Sequence, residues 1–278
     1  TLLLAVLSMG AYILPASSAL AQDKPDDYVA RGLTYKGLVY SPSVVLSGQY
    51  NSNVFADKDD EKTDYIYHIQ PSLSVAKQYG AFSFRFDGDA DIERYVHNSS
   101  NNKEDYSGYI SGGYQVNSRW SIPFGLKHIK RYRAYGDPQA EGSSSKPLSL
   151  TTNSANAGLM RRFNRLSVGL IGTYTDNTFE DGVSRGGDSR LVFSDGDRQT
   201  YQGTVVVEYD FLRKNPSPRS DASGPNLGHT FFTRLSQARH KYKNNAYENG
   251  SFSGYNQDRT SRSILSGFNL NYKDLLFG

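Results

Sequence analysis

Cysteine is absent from the 278 residues. That excludes a disulfide scaffold, a cysteine-ligated metal site and a thiol nucleophile. Methionine occurs twice and tryptophan once. Neither sign of charge dominates: 31 Lys+Arg against 28 Asp+Glu leave a formal net charge of +3. So small and dispersed a surplus argues against a nucleic-acid partner gripped through its phosphates. Beyond residue 21 no long apolar run occurs, and mean hydropathy is negative, which excludes a bundle of membrane helices. Apolar residues make up only 37%. An ordinary soluble domain has about 45–50%, counting glycine.

Aromatic residues, by contrast, reach 13%, with 21 Tyr, and there are 26 Gly. Disordered chains are aromatic-poor, so disorder is excluded as well. A polar chain rich in Tyr and Gly is still compatible with a β protein that is apolar on one thin face.

The apolar stretch Leu2–Leu14 is stopped by Pro15 and followed by small residues ending Ala19-Leu20-Ala21, with no charge before Asp23. This is the layout of a signal-peptide h-region and its cleavage site, with Ala19 and Ala21 at the A-x-A positions and cleavage after Ala21. Pro15 and the small-residue tail suit cleavage better than a membrane anchor. Residues 22–39 are polar and read as a periplasmic lead-in.

From residue 40 onward the pattern has a period of two. In residues 82–93, Phe82, Phe84, Phe86, Gly88, Ala90 and Ile92 share one face, and Ser83, Arg85, Asp87, Asp89, Asp91 and Glu93 the other. Strand side chains alternate between faces, so this is one greasy and one charged surface. The alternation recurs at residues 40–50, 63–77, 105–116, 120–135, 166–176, 198–212 and 259–272, and more weakly near 150–163 and 229–243. The count is roughly ten strands. Most exceed the five or six residues usual in soluble proteins, and match the roughly 9–11 that a tilted membrane strand needs.

Long polar connections (51–62, 96–104, 136–149, 177–197) alternate with tight turns at Gln78-Tyr79-Gly80, Asn117-Ser118-Arg119 and Phe163-Asn164-Arg165. Outer-membrane barrels show this rhythm, with long loops outside and short turns in the periplasm. The long segment 213–228 falls where a short turn belongs. It reads either as a periplasmic excursion or as a slip in the strand count. Aromatics of the greasy face gather near strand ends: Tyr65, Tyr67, Tyr106, Tyr132, Tyr174 and Tyr201 at one, and Phe82, Tyr114, Trp120, Tyr209 and Phe211 at the other. Two such belts are expected at the membrane interfaces.

The sharpest chemical feature is the polar face carrying Arg85, Asp87, Asp89, Asp91 and Glu93. Its carboxylates recur every second residue, about 6.6–6.8 Å apart. Two strands on, Lys127, Arg131 and Arg133 share that face, about 10 Å away. The strand between offers Ser107, Ser111 and Gly113, which leave room for long basic side chains to reach across. Two readings stand open: a charged lumen that selects solutes through its field, or an ion-pair lattice that holds the wall together. A catalytic carboxylate pair is a weaker third, because regular spacing belongs to a wall and not a pocket. The acidic loop with Asp57, Asp59, Asp60 and Glu61 lacks the spacing of a calcium loop. The five His show no metalloprotease motif and no close pair in sequence, and no nucleophile-elbow or phosphate-loop motif occurs. No metal site, cofactor or catalytic residue is expected.

Several short stretches have a familiar look: Ser41-Pro42-Ser43-Val44, Tyr50-Asn51-Ser52-Asn53-Val54-Phe55, Gln70-Pro71-Ser72-Leu73, Ala90-Asp91-Ile92-Glu93-Arg94-Tyr95 and Tyr135-Gly136-Asp137-Pro138. With them the chain resembles the β-barrel porin 2 family of Gram-negative outer-membrane proteins. The first loop departs from the family's frequent Asp-Asn pair, having Ser52-Asn53 instead. The resemblance implies an outer-membrane barrel, with an association with capsular or exopolysaccharide export, and it transfers no catalytic residue.

The expectation is therefore an all-β chain: an antiparallel up-and-down transmembrane β-barrel of about ten strands. Residues 1–21 are the signal peptide, 22–39 the lead-in and 40–278 the barrel, with further strands expected beyond the ending Asn271-Tyr272-Lys273. The expected function is porin-like, non-enzymatic passage or export of polar solutes, with polysaccharide as one cargo. The alternative is a non-conducting scaffold or surface-binding barrel that works through its long outer loops. Expected partners are outer-membrane lipid and lipopolysaccharide, the barrel-assembly machinery and polysaccharide-export proteins.

Overall fold

In an up-and-down antiparallel sheet each long strand pairs with the next long strand in sequence, and the described strands do so. The computed structural model describes residues 32–55, 59–132, 144, 146–183, 190–211, 230–245, 247–248, 251–252 and 255–269. In chain order the strands are β1 (Leu33–Tyr35), β2 (Leu38–Asn51), β3 (Asp64–Tyr79), β4 (Phe82–Tyr95), β5 (Lys103–Gln115), β6 (Trp120–Tyr132), β7 (Ser149–Phe163) and β8 (Leu166–Phe179). The short β9 (Gly182–Val183) and β10 (Arg190–Leu191) precede β11 (Arg198–Asp210) and β12 (Thr230–Tyr242). The short β13 (Tyr247–Glu248) and β14 (Ser251–Phe252) precede β15 (Arg259–Asn269).

Eleven of these form one antiparallel sheet in the order β1-β2-β3-β4-β5-β6-β7-β8-β11-β12-β15. The two short pairs, β9 with β10 and β13 with β14, are hairpins within long connections. The sheet is up-and-down, and among the described residues its first and last strands are not paired to each other. The expected long strands are all present. The small β1 adds an eleventh and begins at Leu33, within the stretch read as lead-in.

The hairpins explain the register. Gly80-Ala81 closes β3 to β4, with Gly80 at φ 56°, as a two-residue turn with glycine first allows. Tyr79 thus stays in the strand, opposite Phe82. Lys36 (φ 48°) and Gly37 (φ 74°) make the β1–β2 turn. Proline interrupts two ladders where its missing N–H would have donated. The β3–β4 pairing skips at Pro71 and the β6–β7 pairing at Pro123. The long connection after β11 does not reflect a strand miscount, because β11 and β12 pair directly from Arg198↔Tyr242 to Asp210↔Thr230. The segment 213–228 itself lies outside the described residues.

Burial is inverted relative to a soluble protein. On the face of alternating apolar residues, Leu46 is 72% exposed, Leu170 61% and Ile264 76%. On the polar face, by contrast, Ile66 and Val206 are buried. In water, each exposed Leu or Ile would forgo about 1.5–3 kcal/mol of burial energy. A continuous band of them marks a surface made for something other than water.

Candidate functional site

Register brings the charged residues of the polar face together. In β4, the Arg85 Nε donates to Asp87 Oδ2 at 2.7 Å. Asp89 receives the Arg131 guanidinium from β6, with Nη2 to Oδ2 at 3.2 Å. That bond passes over β5, where Ser107, directly opposite Asp89, also donates to it. The small residues expected on β5 therefore do let a basic side chain cross. Asp91 faces β3. The Gln70 Nε2 donates to it at 3.0 Å, and the His68 Nδ1 lies 3.1 Å from its Oδ1. Glu93 holds the Lys103 ammonium at 3.1 Å, with both side chains nearly enclosed, at 12% and 13% exposure.

Three carboxylates of the β4 row are thus ion-paired and Asp91 is hydrogen-bonded by Gln70, so the row is not an unopposed acidic strip. Among the expected site residues Lys127 is different. It lies on the same face, exposed and opposite Ser154, with no ion pair among the described residues. Arg133, Ala19 and Ala21 lie outside the described residues.

The sequence reading did not gather three of these partners. His68, Gln70 and Lys103 are fixed by strand register. The signal was present, because the Gly80-Ala81 turn sets the β3–β4 pairing and puts His68 opposite Glu93. His68, Asp91 and Glu93 together offer ligand atoms within 4.8 Å of one another. A divalent ion there would have to compete with the Lys103 ammonium already on Glu93.

The second half of the polar face is uncharged at its middle. The Thr152 Oγ1 donates to Asn177 Oδ1 at 2.8 Å, and Ser154 and Thr175 hydroxyls meet at 3.1 Å. Thr204 meets Ser236 at 3.0 Å, and Gln202 donates to Thr204 at 3.1 Å. His240 is held between Thr200 (3.0 Å) and Ser261 (3.1 Å).

At the end with the long connections, carboxylates tie the loops down. Asp64 is 1% exposed and accepts the N–H groups of Tyr65, His97 and Asn98. Asp181 accepts the N–H groups of Phe193 and Ser194, both at 2.8 Å, and the Arg190 guanidinium at 2.9 Å. Burial alone would raise its pKa, but these donors hold it below the usual carboxylate value. The same balance lowers Glu180: burial opposes, while Ser149 and Lys146 donate to it. Asp197 goes the other way. Burial raises it, although the Phe179 N–H donates to it.

The apolar face carries the expected aromatics in two groups. Tyr50–Tyr65 (centroids 5.3 Å) and Tyr174–Tyr201 (5.2 Å) pair toward the long-loop end, where Tyr67, Tyr106 and Tyr132 share the face. At the tight-turn end, Phe82 stacks on Phe124 (5.9 Å), Phe211 meets Phe268 (6.4 Å), and Arg161 lies over Trp120 (5.0 Å). Tyr114 and Tyr209 lie on the same face at that end.

An up-and-down antiparallel wall, polar on one face and apolar on the other, is the wall pattern of the porin type of β-barrel. Residues 24–278 match the family described as "Putative beta-barrel porin 2", and the chain belongs to that family. No curated protein and no solved structure matches it.

Proposed function

We propose that this chain is the wall of an outer-membrane barrel through which polar solutes pass along the charged and hydroxylated face. The observation that carries the reading is the inverted burial: apolar side chains outward and exposed, an ordered polar network on the other face. Backbone groups inside a membrane must be satisfied within the protein, which strand-to-strand pairing does. The aromatic belts would meet the headgroups, with long connections outside and tight turns in the periplasm. The N-terminal stretch ending at Ala21 would direct export and be removed, and the barrel-assembly machinery would insert the mature chain.

Polysaccharide as cargo rests on the family resemblance. The hydroxyl and amide groups of Thr152, Asn177, Thr204 and Ser236 suit hydrogen bonding to sugars. Export proteins would then be its partners, and the reading includes no catalysis.

Planar-bilayer conductance of the full chain tests the proposal. Stepwise ion-conducting events are expected. Their absence, in protein whose gel mobility changes on heating as a folded barrel's does, would favour the second reading: a non-conducting scaffold that meets its partner through the long loops. The ion pairing of three of the four β4 carboxylates favours that second reading, because paired charges reinforce a wall more than they select ions.

A further inference from the structure

The apolar face is not evenly filled. Ala157, Gly172 and Gly203 lie directly opposite one another across β7, β8 and β11. They floor a groove of about 790 Å³, within the size range of small-ligand sites. Leu126, Tyr174 and Tyr201 stand on one side of it. A Cβ added at Gly203 would find nothing within 4 Å, so the floor there is open space. A second hollow of about 450 Å³, beside Leu126, Ala155 and Tyr174, continues it toward β5.

The far end of the groove is basic. Arg239 lines it, directly opposite Tyr201 and level with the tyrosine belt at the long-loop end. Lys241 projects from the same face two residues on, with its ammonium 5.8 Å from the Tyr201 ring. Arg262, opposite Gln237, donates to it at 3.0 Å. None of these three cations has an ion pair among the described residues. The nearby carboxylate Asp176 is already bound by Lys243 at 2.8 Å. Cations without counter-ions on a membrane-facing surface, at the level of the headgroups, call for an anion that belongs to the membrane.

We propose that this groove binds a phosphorylated acyl lipid of the leaflet on the long-loop side: the lipid A portion of lipopolysaccharide. One acyl chain lies over Ala157, Gly172 and Gly203, and a sugar phosphate sits on Arg239 and Lys241. Charge complementarity and the apolar trough together choose this occupant. A second protein copy would need a matching acidic patch, and neither a neutral lipid nor a bare phosphate uses both parts. The inference rests on the membrane reading above.

The test uses the full chain, refolded into phosphatidylcholine nanodiscs containing traces of diphosphoryl lipid A or phosphatidylglycerol. Native mass spectrometry counts the lipid retained. Lipid A is expected to be retained at least about fivefold over phosphatidylglycerol, because it offers two phosphates against one and more than two acyl chains, so that Arg239, Lys241 and the trough are engaged together. The double variant Arg239→Ala, Lys241→Ala should remove most of that preference. Gly203→Leu should lower retention independently by filling the floor, and the open space there lets it fold. Heat-modifiable mobility checks the fold of each variant. Equal retention by wild type and both variants, or equal retention of the two lipids, overturns the proposal while leaving the membrane reading intact. A chain that never enters the bilayer overturns both.

Discussion

The polar face has two walls built on different chemistry. From β4 to β6 it is ionic: Arg85 with Asp87, Asp89 with Arg131, Glu93 with Lys103. From β7 to β12 its middle is made of hydroxyls and amides, as in Thr152 with Asn177 and Thr204 with Ser236. Both are polar, and in both these groups find their partners on the same or a nearby strand. They differ in what one deletion leaves behind. Removing a partner from the ionic wall strands a full charge, whereas removing one from the neutral wall strands a dipole, at lower cost. The ionic wall is thus the more sensitive to change, and the neutral wall the more tolerant.

The largest expected effect is on ion selectivity. Replacing Asp87, Asp89 and Asp91 together with Asn leaves Arg85 and Arg131 uncompensated. It should shift the permeability ratio toward anions several-fold. Thr173→Asp, which puts one unpaired carboxylate on the neutral wall, should shift it the other way. Reversal potentials under a salt gradient measure both, and an unchanged ratio in both variants would show that neither wall faces the conducting path.

Next in size is stability within the ionic wall. Glu93→Gln strands the nearly enclosed Lys103 and should cost about 2–3 kcal/mol in urea unfolding from micelles. Asp87→Asn breaks a pair about half exposed to solvent and should cost less than about 1 kcal/mol. Equal losses would mean that enclosure does not set the difference. On the neutral wall, Thr152→Val leaves only the Asn177 carbonyl without its donor and should cost about 1 kcal/mol by the same measurement.

The smallest effect is confined to the long-loop rim and depends on pH. Glu180 and Asp181 have folded pKa values below those of the unfolded chain. Their contribution is therefore fully present above the unfolded value of about 4 and is lost as pH falls through the lower folded values. Asp197, raised by burial, runs opposite: ionising it costs stability, so its strain is relieved as pH falls. Hydrogen exchange should show the N–H groups of Phe193 and Ser194, bound to Asp181, losing protection in acid before those of the central strands. Simultaneous loss in both places would argue against a separately held rim.

Much of the wall was legible in the sequence. The alternation in residues 82–93 assigned the side chains of β4 from Phe82 to Glu93 to their observed faces. Even the weak stretches near 150–163 and 229–243 proved to be β7 and β12. That a basic side chain could reach across small residues to the β4 row followed from strand spacing; that it is Arg131, over Ser107, to Asp89 was set by register. The hold of His68 and Gln70 on Asp91, and of Lys103 on Glu93, was missed, because it depends on which residue of one strand faces which of the next. The turn after β3 was read as Gln78-Tyr79-Gly80, one residue short of the observed Gly80-Ala81. A one-residue slip in pairing changes every cross-strand partner.

By itself, then, the sequence determined that the chain is a long-stranded sheet with one greasy and one polar face, because strand side chains alternate whatever the strand pairs with. Only the tertiary structure decided which charges neutralise one another, and that Ala157, Gly172 and Gly203 line up into a groove beside Arg239. The reason is physical. A face is a local property of one strand, but a row across a sheet exists only once hydrogen bonds have set the register of every strand it crosses.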